Sequence, residues 1–113
     1  MAISELDRKR IDVWCAAQTA TVRSNEVRID ATYRGNSVTI AECRLPYHPS
    51  QGTEWLRSRI AKLVWSPTLN SWKLWAPGPS DRLMDYSARF EVGSTLVDLL
   101  EEIRQDPADV FWG

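Results

Sequence analysis

Between residues 26 and 34, apolar and polar side chains alternate without a break. Val27, Ile29, Ala31 and Tyr33 hold one parity, and Arg28, Asp30, Thr32 and Arg34 the other. A period of two is the mark of a strand with one dry and one wet face. Gly35-Asn36 follows, a pair that tolerates the positive φ of a tight hairpin, and Ser37 to Leu45 returns as the partner strand. In two-residue register Tyr33 faces Val38 and Ala31 faces Ile40, apolar pairs on one side. The same register then sets Glu42 against Ile29 and Arg44 against Val27, two charges on the apolar face. A bulge near Ala41 that turns Cys43 and Leu45 inward would resolve this and is the expectation. The alternative is a polar spot on a buried face, which needs a pairing or functional reason.

Residues 4–19 predict a helix, with Ser4 as N-cap and Asp7 three residues on. Leu6, Val13 and Ala17 form its apolar stripe, flanked by Ile3, Arg10 and Trp14, while Arg8, Lys9 and Asp12 point to solvent. Residues 58–66 predict a strand with Ile60, Lys62 and Val64 on one side and Ala61, Leu63 and Trp65 on the other. After a turn over Ser66–Ser71, Trp72 to Ala76 is its hairpin partner, and Pro77-Gly78-Pro79 stops it. A short strand over Leu83–Tyr86 and a helix over 95–105 follow. The helix is capped by Thr95, carries the face Leu96, Leu99, Leu100 and Ile103, and is ended by Pro107. Residues 46–53 read as a loop, with a short turn at 53–56. The apolar tail Val110-Phe111-Trp112 is expected to pack back on the rest. The elements sum to one α+β domain over residues 1–113, an antiparallel sheet of about five strands layered with two helices.

At 113 residues, 43% hydrophobic and 26% charged, the chain has room for one core and is too apolar to be disordered. No apolar run approaches the ~20 residues that span a bilayer. MAISELDRKR offers no secretory signal, so a cytoplasmic location with no membrane partner is expected. Cys15 and Cys43 have no CxxC spacing and read as buried free thiols. With one histidine, His48, they supply no usual metal-ligand set, and no metal or cofactor is expected.

Charge is distributed unevenly. Residues 22–90 hold ten Arg/Lys against six Asp/Glu, and residues 91–113 hold one Arg against six acids. A basic middle beside an acidic tail either recognises an anion or docks its own acidic helix. Arginine outnumbers lysine eleven to three, a bias that can favour planar contacts to carboxylate or phosphate.

Six tryptophans in this length mark either a dense core or an aromatic binding face. Trp72 and Trp75 have opposite parity, so on a regular strand they cannot both face inward. The candidate binding set is Glu42, Arg44, Lys62, Trp72, Trp75 and Tyr86, which on one sheet face could hold a planar or anionic ligand. The plainer reading is an internal Glu42–Arg44 or Glu42–Lys62 pair that fixes register, with the indoles as core. Asp30 and Glu42-x-Arg44 are loosely similar to the acidic hairpin of metal-dependent nucleases, but arginine cannot act as the general base there. Catalytic residues are not identified, and no nucleophile, Walker or dinucleotide fingerprint occurs.

Several short motifs, taken in order, are similar to a bacterial family. A strand ends Glu42-Cys43-Arg44 shortly before Pro46, and Ile60-Ala61-Lys62 follows. Then come Trp72-Lys73-Leu74-Trp75, Arg82 and Tyr86 four apart, and a closing Phe111-Trp112-Gly113. In these the chain resembles domain of unknown function 3024 over nearly its whole length. It departs in having Leu45 between Arg44 and Pro46, and Leu83 where the pattern has tryptophan. The resemblance carries no activity with it. A non-catalytic binding or interaction module is the expectation, with an unknown protein partner. Single-stranded nucleic acid or another anion is the alternative, and a nuclease-like enzyme a distant one. A homodimer through the strand edge beside Pro77–Pro79 stays open.

Overall fold

The computed structural model describes residues 3–21, 27–44, 56–78, 82–90 and 92–112. Helix α1 (Glu5–Thr21) leads into strands β1 (Val27–Arg34), β2 (Ser37–Arg44), β3 (Leu56–Ser66), β4 (Ser71–Pro77) and β5 (Leu83–Asp85). Helices α2 (Tyr86–Arg89) and α3 (Leu96–Gln105) follow. The strands form one antiparallel sheet in sequence order, a meander, with α1 and α3 packed on the same side. The fold is α+β, as the sequence predicts. The expected loop over 46–53, residues 53–55 of the expected turn, His48 and Pro79 lie outside the described residues, and Leu56, expected in that turn, begins β3.

Local chemistry accounts for the element ends. Ser4 Oγ accepts from the Asp7 N–H at 3.2 Å, and Thr95 Oγ1 does the same for Asp98 at 3.2 Å. Gly35 takes φ 59° at the first central position of the β1–β2 turn, the place a type II′ hairpin gives to glycine. Asp106 ends α3 in the left-handed region at φ 46°. Its carboxylate then accepts three backbone N–H groups, from Val110 (2.8 Å), Phe111 (3.1 Å) and Trp112 (3.0 Å). That cradle folds the tail back as the sequence predicts. Phe111 is buried against Tyr86, and Trp112 donates its indole N–H to the Ile103 carbonyl at 2.7 Å.

The core lies between sheet and helices. Ile29, Val38, Ile40, Leu63, Leu74 and Ala76 meet Ile11 and Cys15 of α1 and Leu96, Leu99, Leu100 and Ile103 of α3. The α3 face is the predicted one. The α1 face is not: Leu6 and Val13 are each 60% exposed, and Ile3, Ile11 and Cys15 are buried instead. Polar ties set this rotation. The Tyr33 hydroxyl lies 2.6 Å from Asp12 Oδ1 and 3.0 Å from the Arg8 carbonyl, with the Arg8 guanidinium over the Tyr33 ring. Thr19 Oγ1 accepts the Ile29 N–H at 2.9 Å, satisfying an outward donor of the edge strand β1. Three hydrogen bonds to β1 outweigh a modest apolar stripe.

The expected bulge exists, but on another strand. Pairing of β1 with β2 is unbroken, so Ile29 faces Glu42 and Val27 faces Arg44. The register shifts between β2 and β3 at Ile40/Ala41, where Ile60 is the extra residue of β3. Ile60 and Ala61 are both buried in the core cluster, and every residue of β3 before them changes phase. Cys43 is therefore buried on the face away from the helices, not turned into the core, and Glu42 and Arg44 keep the helix side.

Candidate functional site

The phase change collects a basic surface. Strand pairing places Arg28, Asp30, Thr32 and Arg34 of β1 on the side of the sheet away from α1 and α3. Ser37, Thr39, Ala41 and Cys43 of β2 lie beside them. Across β2, Arg57 stands opposite Cys43, Arg59 opposite Ala41, and Lys62 opposite Thr39. On a regular β3, Arg57 and Arg59 would have opposite parity to Lys62; the extra residue at Ile60 brings all three to one side. Lys73 and Trp75 extend the row on β4, where Trp75 is the cross-strand neighbour of Lys62. Among the described residues this face holds six cations (Arg28, Arg34, Arg57, Arg59, Lys62, Lys73) against two carboxylates, Asp30 and Asp85. No described helix covers it; Arg28, Arg34, Arg57, Arg59 and Lys73 are exposed and Lys62 is half-buried.

At the centre is a depression of about 360 Å³. Its floor is Ala41, its rim the charged groups of Arg34, Arg57, Arg59 and Lys62, and its walls carry the hydroxyls of Thr32, Ser37 and Thr39. Small residues along the middle of β2 make the hollow, because long side chains on the flanking strands stand above them. Arg57 shows how. It reaches from β3 over β2 to β1, donating to Asp30 Oδ2 at 3.0 Å and Thr32 Oγ1 at 2.9 Å. Its stem crosses Cys43 and Ala41 on the way, which accounts for the burial of both outside the core cluster. Guanidinium and hydroxyl donors around a concave floor suit an anion with several oxygens.

The six residues singled out from the sequence do not form one site. Lys62 and Trp75 lie on this open face, side by side. Glu42 and Arg44 lie on the helix side, where they pair with each other. Both belong to one strand, so their pair cannot set register between strands; the cross-strand strap is Arg57. Arg44 is held above its usual guanidinium value by the Glu42 hydrogen bond and charge. Trp72 is buried in the core, its ring centroid 5.6 Å from that of Trp65. Tyr86 is fully buried, stacked on Phe90, and donates to Glu102 Oε2 at 2.5 Å. Burial, then that hydrogen bond, pushes its phenol well above the ordinary value.

The nuclease-like pair does not converge. Asp30 and Glu42 occupy opposite faces of the sheet, and Asp30 is bonded to Arg57. Among the described residues no cluster of three or more His, Cys, Asp or Glu could hold a metal ion. No described helix is long and apolar enough to cross a membrane.

Arg57, Arg59, Arg34 and the threonines escaped sequence reading. The wet parity of β1 was visible, but residues 56 and 57 did not read as strand, and parity across Ile60 misleads. A family model described as domain of unknown function (DUF3024) matches residues 1–113. No curated protein and no solved structure matches the chain.

Proposed function

The chain belongs to the family described as domain of unknown function (DUF3024), and for it we propose a non-catalytic binding role in which the open sheet face holds a single-stranded nucleic acid. The excess of cations on one solvated face, six against two, carries this reading. Arg34, Arg57, Arg59 and Lys62 take phosphate oxygens around the depression, the hydroxyls of Thr32, Ser37 and Thr39 supplement them, and half-buried Trp75 offers an indole for base stacking beside Lys62. The overall formal charge of −1 does not count against it. The acidic helix α3 packs on the other side of the sheet, so its carboxylates lie behind the ligand. Of the six residues picked from the sequence, Lys62 and Trp75 serve in this role; Glu42, Arg44, Trp72 and Tyr86 serve the helix layer.

Fluorescence anisotropy with a labelled oligonucleotide of about 12 nucleotides tests it. Binding at low salt should weaken linearly in log–log form as salt rises, with a slope near −0.7 for each phosphate neutralised. Arg59→Ala and Lys62→Ala should each lower affinity and flatten that slope by roughly 0.7. Trp75→Leu should lower affinity about tenfold and leave the slope alone, as loss of one stacked base would. Absence of binding at low salt, or binding that Arg59→Ala and Lys62→Ala leave unchanged, overturns the assignment.

A further inference from the structure

The depression on the open face concentrates more positive charge than one link of a nucleic-acid backbone requires. Arg34, Arg57, Arg59 and Lys62 stand around a single hollow of about 360 Å³, and among the described residues no carboxylate lines it. Asp30 is taken up by Arg57 at 3.0 Å and offsets one of the four charges. A phosphodiester inside a strand carries a single negative charge. A terminal phosphate monoester carries about 1.5 to 2 at pH 7 and offers three acceptor oxygens. We propose that the depression holds the terminal phosphate of a single strand, so that the protein reads a phosphorylated end rather than the run of the backbone. This inference rests on the nucleic-acid reading above and names the group that is recognised.

The shape of the hollow agrees with an end. The Arg57 side chain crosses from β3 to β1, donating to Asp30 Oδ2 and, at 2.9 Å, to Thr32 Oγ1. It walls the hollow on the side of Cys43. A backbone threading through would leave over that strap and past the Asp30 carboxylate, which repels it. Toward β4 the way is open. Lys62 on the rim is the cross-strand neighbour of half-buried Trp75. Trp75 lies two strands from the Ala41 floor, about 10 Å at the usual interstrand spacing, which is in reach of the base on the terminal nucleotide. The hydroxyls supply the remaining donors. Thr32 and Thr39 are partners across the β1–β2 pairing. Thr32 accepts from Arg57 and so keeps its own proton for a ligand oxygen.

Anisotropy titrations of the full chain with internally labelled oligodeoxynucleotides of about 12 nucleotides, identical but for their ends, test this. The strands carry a 5′-phosphate, a 3′-phosphate or neither. At least one phosphorylated strand should bind about tenfold more tightly than the unphosphorylated one, because charge-assisted hydrogen bonds are added. The two phosphorylated arms tell which end is read. A closed circle of the same sequence has one phosphate more than the unphosphorylated strand but no end, and it should compete no better than that strand. Arg34→Ala and Thr39→Val should each shrink the preference severalfold, whereas Trp75→Leu should weaken all the linear strands alike. Equal affinity for phosphorylated and unphosphorylated strands overturns the inference and leaves the open-face assignment standing. So does a circle that competes as well as the phosphorylated strand, or a preference that Arg34→Ala and Thr39→Val both leave intact. Absence of binding by every strand at low salt overturns both.

Discussion

The two faces of this sheet bury residues by different means. On the helix side Ile29, Val38, Ile40, Leu63 and Leu74 are sealed by α1 and α3, in a layered core with aromatic and aliphatic partners. On the other side Ala41 and Cys43 are sealed as completely, yet by the stems of charged residues that remain in water. Low accessibility is therefore two things in one molecule. The first kind stabilises the fold; the second is a roof of guanidinium groups that a ligand can meet.

Substitution should separate the faces. Leu99→Ala, in the fully buried stripe of α3, should cost about 2–5 kcal/mol in urea unfolding, while the folded protein keeps its affinity for oligonucleotide. Asp106→Ala should come next, at about 1–3 kcal/mol, since it strips the acceptor from three backbone donors at once. Trp112 emission should then shift red as the tail loosens, with no change on the open face.

Alkali should also act on the helix side. Burial first, then the charge of Asp12, pushes the Cys15 thiol from 9.0 to about 12. Burial, followed by hydrogen bonds to Asp12 and Glu102, raises the phenols of Tyr33 and Tyr86 above 10.0. The folded state holds these protons more tightly than the unfolded state. Their contribution is thus complete below the ordinary values and is lost as pH climbs through the raised ones. Thermal melts should show the melting temperature falling from about pH 9 upward, and Tyr86→Phe should blunt that fall.

The smallest expected effect on stability is the most informative about the second face. Arg57→Ala removes an exposed ion pair with Asp30 and should cost less than about 1 kcal/mol. It should nevertheless open Cys43, so that one thiol per chain reacts with a disulfide reagent in the native state while Cys15 stays inert. If Cys43 remains as slow as in the wild type, the roof is not Arg57.

Periodicity made most of the fold legible. β1, the β1–β2 hairpin, the α3 face, both helix caps and the returning tail follow from alternation, turn residues and capping side chains. What stayed hidden has physical causes. The rotation of α1 depends on the hydrogen bond Tyr33 donates to Asp12 and the one Thr19 accepts from the Ile29 N–H, and apolar periodicity does not register them. The one-turn α2 is too short for a period to show, although Asp85 caps it through the Ala88 N–H. The candidate site was half visible. Lys62 and Trp75 were found because they are chemically conspicuous, and they were grouped with Glu42, Arg44, Trp72 and Tyr86 because all six fall on adjoining segments and a bulge at Ala41 would have turned Glu42 and Arg44 to the polar side. The pairing register places Glu42, Arg44 and Trp72 on the other side, and Tyr86 opens α2 within the core.

That extra residue has a consequence for how the gene can change. Loss of the single codon for Ile60 would spare the α1, α3 and β1–β2 segments in full. It would also keep the Arg57–Arg59 row where it is, because Arg59 would then directly precede Ala61 and plain alternation leaves its guanidinium group in water. What the molecule gives up is one apolar side chain from the oil. A deletion just upstream of Ala61 should accordingly be the best tolerated length change in β3.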